Sequence, residues 1–375
     1  MTERQQLINR YVNSIKPSIA TKYYLHLLRN EKDSASISML QNQLEQIATQ
    51  TGCQEIIMVA NSATYPNASI IIGGQFVKPI QNKEEISSSE HTVAEQKEKY
   101  SSRANSCLTS FQFKNALVYY EKALRESRKD KFYLQRIEAN YMLDNYNVAY
   151  ALACKTGSFT LKFLMAVTSG HFQEANEIIP SLDLDENPRS LDSKTFVNKF
   201  CLIQLIMYVK LATSPSTDVI EMFEKLSTTF IIKLTHISNI VDAFKSHEYG
   251  KAMQYINSLE PYLYDSLYAA PVSKEIINEM VKRNIINFIL PCNRISLLTI
   301  AEQSSTDIST VRAHVVSAIR DGDLTGKIDP ETDEYIHFDS RYSEVVKLYN
   351  DLSVIGDKVD RALFMFTAKN FVTEP

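Results

Sequence analysis

Glycine and proline are both scarce in this sequence, at 9 and 11 of 375 residues. Glycine alone averages about 7% of an ordinary globular chain, so glycine-rich cofactor folds and turn-dense β folds are disfavoured and a mostly helical protein is expected. Clustered cysteine is also lacking. Cys53, Cys107, Cys154, Cys201 and Cys292 are odd in number and far apart, which gives neither a disulfide framework nor a zinc-ligand spacing. They read as buried or half-buried thiols of a reducing compartment. The longest apolar stretch, FCLIQLIMYV at 200–209, is interrupted by Gln204 and ended by Lys210. It falls well short of the ~20 residues that a membrane span needs. The opening MTERQQLINR lacks the apolar centre of a secretion signal. An excess of positive charge is missing as well. Forty Lys and Arg stand against 44 Asp and Glu, a net of −4, whereas a dedicated nucleic-acid binder carries a basic domain.

Apolar residues make up 44% of the chain, enough for real cores, and the length predicts two or three sub-structures. Leu7, Ile8, Tyr11 and Ile15 recur at helical spacing up to Pro17, which interrupts the pattern. Tyr23, Tyr24, Leu27 and Leu28 mark a second helix, and Met39, Leu40, Leu44 and Ile47 a third. Residues 54–78 mix β-branched runs with Gly73-Gly74, and their type stays open; PIQNKEEISSSEHTVAE at 79–95 reads as a polar linker or loop. In SFQFKNALVYYEKALRE, Phe113, Ala116, Tyr120, Ala123 and Leu124 share one helical face, as in the second helix of a tetratricopeptide pair. Small residues there let helices approach closely while aromatics fill the gap between pairs. Tyr146 before Ala149, Phe172 before Ala175 and Tyr249 before Ala252 echo the pattern at irregular intervals, which predicts a degenerate helical-repeat array.

Toward the end, residues 295–303 read as a short helix with Leu297, Leu298 and Ala301 facing in. Thr306 or Asp307 caps a second helix whose buried face carries Ile308, Val311, Val315 and Ile319, and Gly322 ends it. LTGKID and EYIHF then form two strands around a turn at Pro330–Asp333. Helix, turn, helix, hairpin is the order of a winged helix. A winged helix that reads nucleic acid needs Lys and Arg on its second helix and wing, because phosphate neutralisation supplies most of the affinity. Over residues 306–339 the eight acids Asp307, Asp321, Asp323, Asp329, Glu331, Asp333, Glu334 and Asp339 face only Arg312, Arg320 and Lys327, a net of −5. Nucleic-acid binding is therefore not expected. The open edge of a short sheet can instead pair with another module, which marks Leu324, Gly326, Lys327, Ile328, Tyr335 and Ile336 as a partner-binding edge.

Beyond it, Val345, Leu348, Leu352, Ile355, Val359, Ala362 and Phe366 step by three and four residues, a heptad seam that Tyr349 and Leu363 widen. One helix cannot bury such a seam alone. Val345, Leu348, Leu352, Ile355, Val359, Leu363 and Phe366 are thus candidate contacts in a helical bundle. No chemistry is legible. The seven histidines, His26, His91, His171, His236, His247, His314 and His337, form no H-E-x-x-H or His-x-His set, and His314 is expected to be a surface or packing residue. Neither a phosphate-binding glycine loop nor a Gly-x-Ser-x-Gly elbow is present. Catalytic, metal-ligating and cofactor-binding residues are expected to be absent, and no cofactor is called for.

FKSHEYGKAMQYI at 244–256, Ala270-Pro271, KRNIINFILPCNRISL at 282–297 and GDLTGKIDPETDEYI in the wing resemble the PCI domain family. That module is shared by the proteasome lid, the COP-nine signalosome and a translation initiation factor. Within the family the resemblance is closest to the signalosome branch, with the proteasome-lid counterpart next. It implies a mostly α fold: an N-terminal helical arm over 1–80, a linker over 81–95, tetratricopeptide-like repeats over 96–195, a PCI helical subdomain over 196–294, a winged helix over 295–340 and a C-terminal bundle helix over 343–370. It also implies a non-catalytic scaffold in cytoplasm and nucleus. Its expected partners are other PCI subunits, with the second and third signalosome subunits as neighbours, a metalloprotease subunit and, indirectly, cullin-RING ligases. No membrane and no nucleic acid are expected among them.

Overall fold

The structure, a computed structural model, describes residues 15–31, 33–53, 93–125, 132–182, 196–230, 234–304 and 306–338, with positions 56, 57, 60, 352, 355, 356 and 359. The chain divides into two compact units, Met1–Val209 with Pro261–Ile276, and Lys210–Glu260 with Ile277–Pro375.

In the first unit, Pro17 begins the helix marked by Tyr23 and Leu27, α1 (Pro17–Asn30), at a position where its missing N–H is no loss. Ile19, Ala20, Tyr23, Tyr24, Leu25, Leu27 and Leu28 are all buried. They cover more than one face, so α1 is enclosed rather than laid on a surface. Helix α2 (Ser34–Thr51) starts where the Asp33 carboxylate accepts the Ser36 N–H and stops at Gly52, in the left-handed conformation. It pairs with α1 through Leu40, Leu44 and Ile47. The described part of the expected N-terminal arm is therefore built into the unit. Lys16 meets Glu138 at 2.8 Å and the Ser18 hydroxyl donates to the same carboxylate at 2.5 Å. The seam of Leu7, Ile8 and Tyr11 lies outside the described residues, as does most of 54–92. Positions 56, 57 and 60 are helical, and α3 starts at Val93, inside the span read as linker.

Helices α3 (Val93–Thr109) and α4 (Phe113–Arg125), α5 (Tyr133–Met142) and α6 (Tyr146–Ala153), and α7 (Phe159–Thr168) and α8 (Phe172–Ile178) pack as successive pairs. Helices α9 (Lys199–Thr213) and α10 (Ser216–Phe230) follow, and α11 (Thr235–Lys245) with α12 (Tyr249–Asn257) makes a fourth pair, in the second unit. All four pairs turn the same corner. Phe111, Asp144, Gly170 and His247 hold φ of 60°, 61°, 80° and 55°. The next N–H then bonds five residues back, Gln112 to Cys107, Asn145 to Asn140, His171 to Ala166 and Glu248 to Ala243, at 2.8–2.9 Å. This left-handed closure satisfies carbonyls that the ending helix leaves open. One residue later come the aromatics Phe113, Tyr146, Phe172 and Tyr249, each followed at three by a fully buried alanine, Ala116, Ala149, Ala175 and Ala252. The irregular echo in the sequence is a constant connection in the fold.

The apolar stretch in α9 is a core helix. Cys201, Leu205, Ile206, Met207 and Tyr208 are fully buried, and Gln204 donates to the Tyr208 hydroxyl at 2.6 Å. Helix α13 (Glu260–Tyr264), a 3-10 turn at Ala270–Val272 and α14 (Ser273–Ile289) come next. Between α13 and that turn the backbone is irregular, and donors of the first unit meet its carbonyls. The Tyr23 hydroxyl donates to Asp265 O at 2.5 Å and the Tyr141 hydroxyl to Leu267 O at 3.2 Å. Tyr268 in turn donates to Phe196 O at 2.6 Å. Burial holds the Tyr141 and Tyr268 phenols above their ordinary range.

The second unit ends in β1 (Arg294–Ser296), α15 (Leu297–Ser304), α16 (Ile308–Asp321), β2 (Gly326–Asp329) and β3 (Glu334–His337). The sheet has three strands rather than two, antiparallel, in the order β1-β3-β2. Ile295 and Ser296, read as the start of a helix, belong to β1 instead. The register aligns Ile295, Tyr335 and Ile328 in one row. That row faces a core of Met253, Ile285, Ile286, Ile289, Leu297, Ile300, Val311 and Val315. Two glycines allow the closest approaches. A Cβ at Gly326 would lie 2.4 Å from Ile336 O and 2.5 Å from the Tyr335 ring, and one at Gly250 in α12 would lie 2.4 Å from Gln303 O.

Candidate interaction surfaces

Local sequence explains why the wing stands where it does. The Asp307 carboxylate accepts N–H bonds from Ser309 and Thr310 and starts α16; the Ser309 hydroxyl, which also donates to it, and then these N–H bonds hold its carboxyl below the usual range. Gly322 ends the helix with φ 83°. The turn at 330–333 is fixed by the Asp329 carboxylate, which accepts the Glu331 N–H at 2.9 Å, and by Asp333 in the left-handed region at φ 56°. Leu297 N–H donates to Asp333 O at 2.9 Å, joining the start of α15 to the wing.

The expected partner-binding edge is divided by this geometry. β3 is the central strand, paired on both sides, so Tyr335 and Ile336 do not lie on an edge. β1 takes the place that a two-stranded hairpin would leave open. Tyr335 and Leu324 are core residues, and burial pushes the Tyr335 phenol up to about 12. Gly326 is buried against the Tyr335 ring. Lys327 and Ile328 lie on β2, one of the two true edges; Lys327 is exposed and Ile328 half-buried. The far edge is β1, a strand the sequence reading missed. Alternation of exposed Arg294, inward Ile295 and Ser296 after Pro291 was the available signal, but three residues are too short to show a period.

Four cations in and beside the winged helix are engaged by its own acids, while Lys327 stands exposed on β2. Arg312 bonds Asp333, Arg294 bonds Glu334, Lys282 bonds Asp321 at 2.8 Å and Arg283 bonds Asp323 at 3.2 Å. Burial alone would raise the Asp321 carboxyl, but Lys282 and Ser317 outweigh it and hold it low. A region that pairs most of its positive charge internally and carries a net of −5 over 306–339 offers little to a phosphate backbone.

Of the seven seam positions beyond the wing, Leu352, Ile355 and Val359 are described. They are helical and 60%, 56% and 51% exposed. Val345, Leu348, Leu363 and Phe366 lie outside the described residues. Other expectations need correction. Leu298 is exposed, not inward, since α15 starts two residues later than the pattern indicated. Cys154 is exposed while Cys53, Cys107 and Cys201 are buried and Cys292 is intermediate. His314 is a packing residue, its imidazole lowered by burial and by Lys282. Among the described residues, no group of three His, Cys, Asp or Glu side chains could hold a metal ion, and no helix is long and apolar enough to cross a membrane.

Paired helices leading into a three-stranded winged helix define a helical-repeat module with a terminal wing. Residues 254–340 match the PCI domain, and the chain carries that domain there. No curated protein matches the chain. PCI domains mediate assembly with other PCI-containing subunits, and proteins that carry them are in general non-catalytic scaffolds.

Proposed function

We propose that this chain is a non-catalytic scaffold subunit of a COP-nine signalosome, in the place of its first subunit. It supports the removal of a ubiquitin-like modifier from cullin-RING ligases by the complex's metalloprotease subunit, in cytoplasm and nucleus. The observation that carries the scaffold role is a PCI domain followed by helical positions, Leu352, Ile355 and Val359, with their apolar side chains exposed. An apolar stripe of this kind favours burial against a sister helix, while the β1 and β2 edges suit neighbouring winged helices. The resemblance at 244–256 and 282–297 supports the signalosome over the proteasome lid, whose equivalent subunit shares the architecture and is the second reading.

A tagged pull-down of the full chain tests this, split between mass spectrometry and an assay of modifier removal from a cullin. Recovery of sister PCI subunits with that activity is the expected result; recovery of proteasome peptidases would transfer the chain to the lid. The triple substitution Leu352→Asp, Ile355→Asp and Val359→Asp should abolish co-assembly while helix content by circular dichroism is kept. Intact assembly in that variant would refute the bundle.

A further inference from the structure

A cleft of about 380 Å³ opens in the first unit beside α1, the α5–α6 connection and the 3-10 turn at Ala270–Val272. Among the described residues its charged lining is Lys22, Arg29 and Lys114 with Asp144. His26 also lines it and is held neutral by burial, with the Asp265 carboxylate and the Lys22 and Arg29 cations acting on its ring.

Lys22 and Asp144 form an unequal pair. The lysine side chain is 15% exposed and the aspartate 70%. The ammonium lies 4.4 Å from the Tyr141 ring centroid and 5.0 Å from that of Tyr146. It donates to Tyr141 O and, at 2.7 Å, to Asp144. Those bonds use two of its three N–H groups among the described residues. Asp144 occupies the left-handed corner of its hairpin, a conformation that strains a non-glycine residue. Gly170 fills the same corner in the next hairpin, so the turn does not require a carboxylate. What the carboxylate does is neutralise Lys22 and accept the Tyr146 hydroxyl at 2.5 Å.

We propose that this cleft binds an acidic peptide segment, one of whose carboxylates bonds Lys22 in place of Asp144, which otherwise serves as the internal stand-in. The cleft's size is at the lower end of the range for ligand sites, enough for a few side chains. Its tyrosine walls offer apolar contact that a small inorganic anion cannot use. A buried cation paired to an exposed, strained anion is poised for exchange, because the incoming carboxylate need displace only the solvated partner.

Fluorescence polarisation of the full chain with a fluorescein-labelled peptide of alternating glutamate and phenylalanine tests this. A lysine-for-glutamate peptide is the control and inorganic phosphate the competitor. The acidic peptide should bind and the basic one should not. Lys114→Ala should weaken binding about fivefold and Asp144→Asn should tighten it about fivefold, the scale of one partly exposed charge. Asp144→Gly keeps the corner and should also tighten binding; it decides the matter if Asp144→Asn misfolds. Unchanged or weaker binding in the folded Asp144 variant, or equal binding of the two peptides, would overturn the proposal. Full displacement by phosphate at equal concentration would make this a small-anion site and overturn the peptide assignment.

Discussion

In the first unit, side chains reach across long stretches of chain to backbone carbonyls and a buried carboxylate. Tyr23, Tyr141 and Tyr268 donate to Asp265, Leu267 and Phe196, and Lys16 and Ser18 hold Glu138. In the winged helix the interior is aliphatic around the single phenol of Tyr335, and the ion pairs lie toward the surface. The difference follows from backbone regularity. The stretch between α13 and the 3-10 turn has no helix to absorb its carbonyls, so side-chain donors must meet them. The winged helix closes most backbone bonds within helices and a sheet, which leaves packing to its side chains. The first unit should therefore respond to the loss of single polar atoms, and the winged helix to changes of volume.

The largest effect is expected at Gly326→Ala. The added methyl meets backbone and a buried ring rather than a flexible chain end, and should cost about 3 kcal/mol, read as a lowered urea midpoint of the full chain. An unmoved midpoint would show that the sheet yields. In the first unit Lys16→Met keeps the contact with the Phe196 ring but leaves the Glu138 side chain, 6% exposed, without its cation. That should cost about 2 kcal/mol. Arg294→Ala removes a pair on the open face of the sheet and should leave the midpoint nearly unmoved, and a large shift there would break the contrast.

Next comes a pH effect. Burial lowers His236, in the first turn of α11, from 6.5 to about 4. The folded chain thus keeps this ring neutral where the unfolded chain protonates it. The stability it confers is complete above pH 6.5 and is lost as pH falls from 6.5 to about 4. Partial exposure of the residue tempers the loss to on the order of 2 kcal/mol, and His236→Gln should flatten that part of a pH titration of the denaturation midpoint. Tyr268→Phe removes one hydroxyl and leaves Phe196 O unpaired. It should cost about 1.5 kcal/mol, against almost nothing if a water replaces the bond. The smallest effect is a gain. His247→Gly relieves a left-handed corner and should stabilise by about 0.5 kcal/mol, seen as a raised thermal midpoint.

The sequence carried the caps and turns of the winged helix, because these are written in short-range chemistry. Asp307, Gly322 and the turn at 330–333 stand where spacing placed them. It carried the paired helices only in outline, since Phe113, Tyr146, Phe172 and Tyr249 recur at uneven intervals. The strand β1 was illegible, being three residues long and defined by its partner Ile336 more than 40 positions away. α1, expected within an N-terminal arm, has apolar residues that fill more than one face, a sign of enclosure visible in YYLHLL itself. The basic cleft could not be read either. Lys22, Lys114 and Asp144 are brought together by the packing of α1 and α4 against α5, and nothing local links them.

The corner shared by Phe111, Asp144, Gly170 and His247 has a historical consequence. Four unlike side chains serve it, so it is kept by a torsion angle and one hydrogen bond, and letters there are free to drift while the bend persists. Comparison by letters meets the chain at 254–340, downstream of all four bends. In the front of the molecule the bend is thus written in backbone angles rather than in residue types.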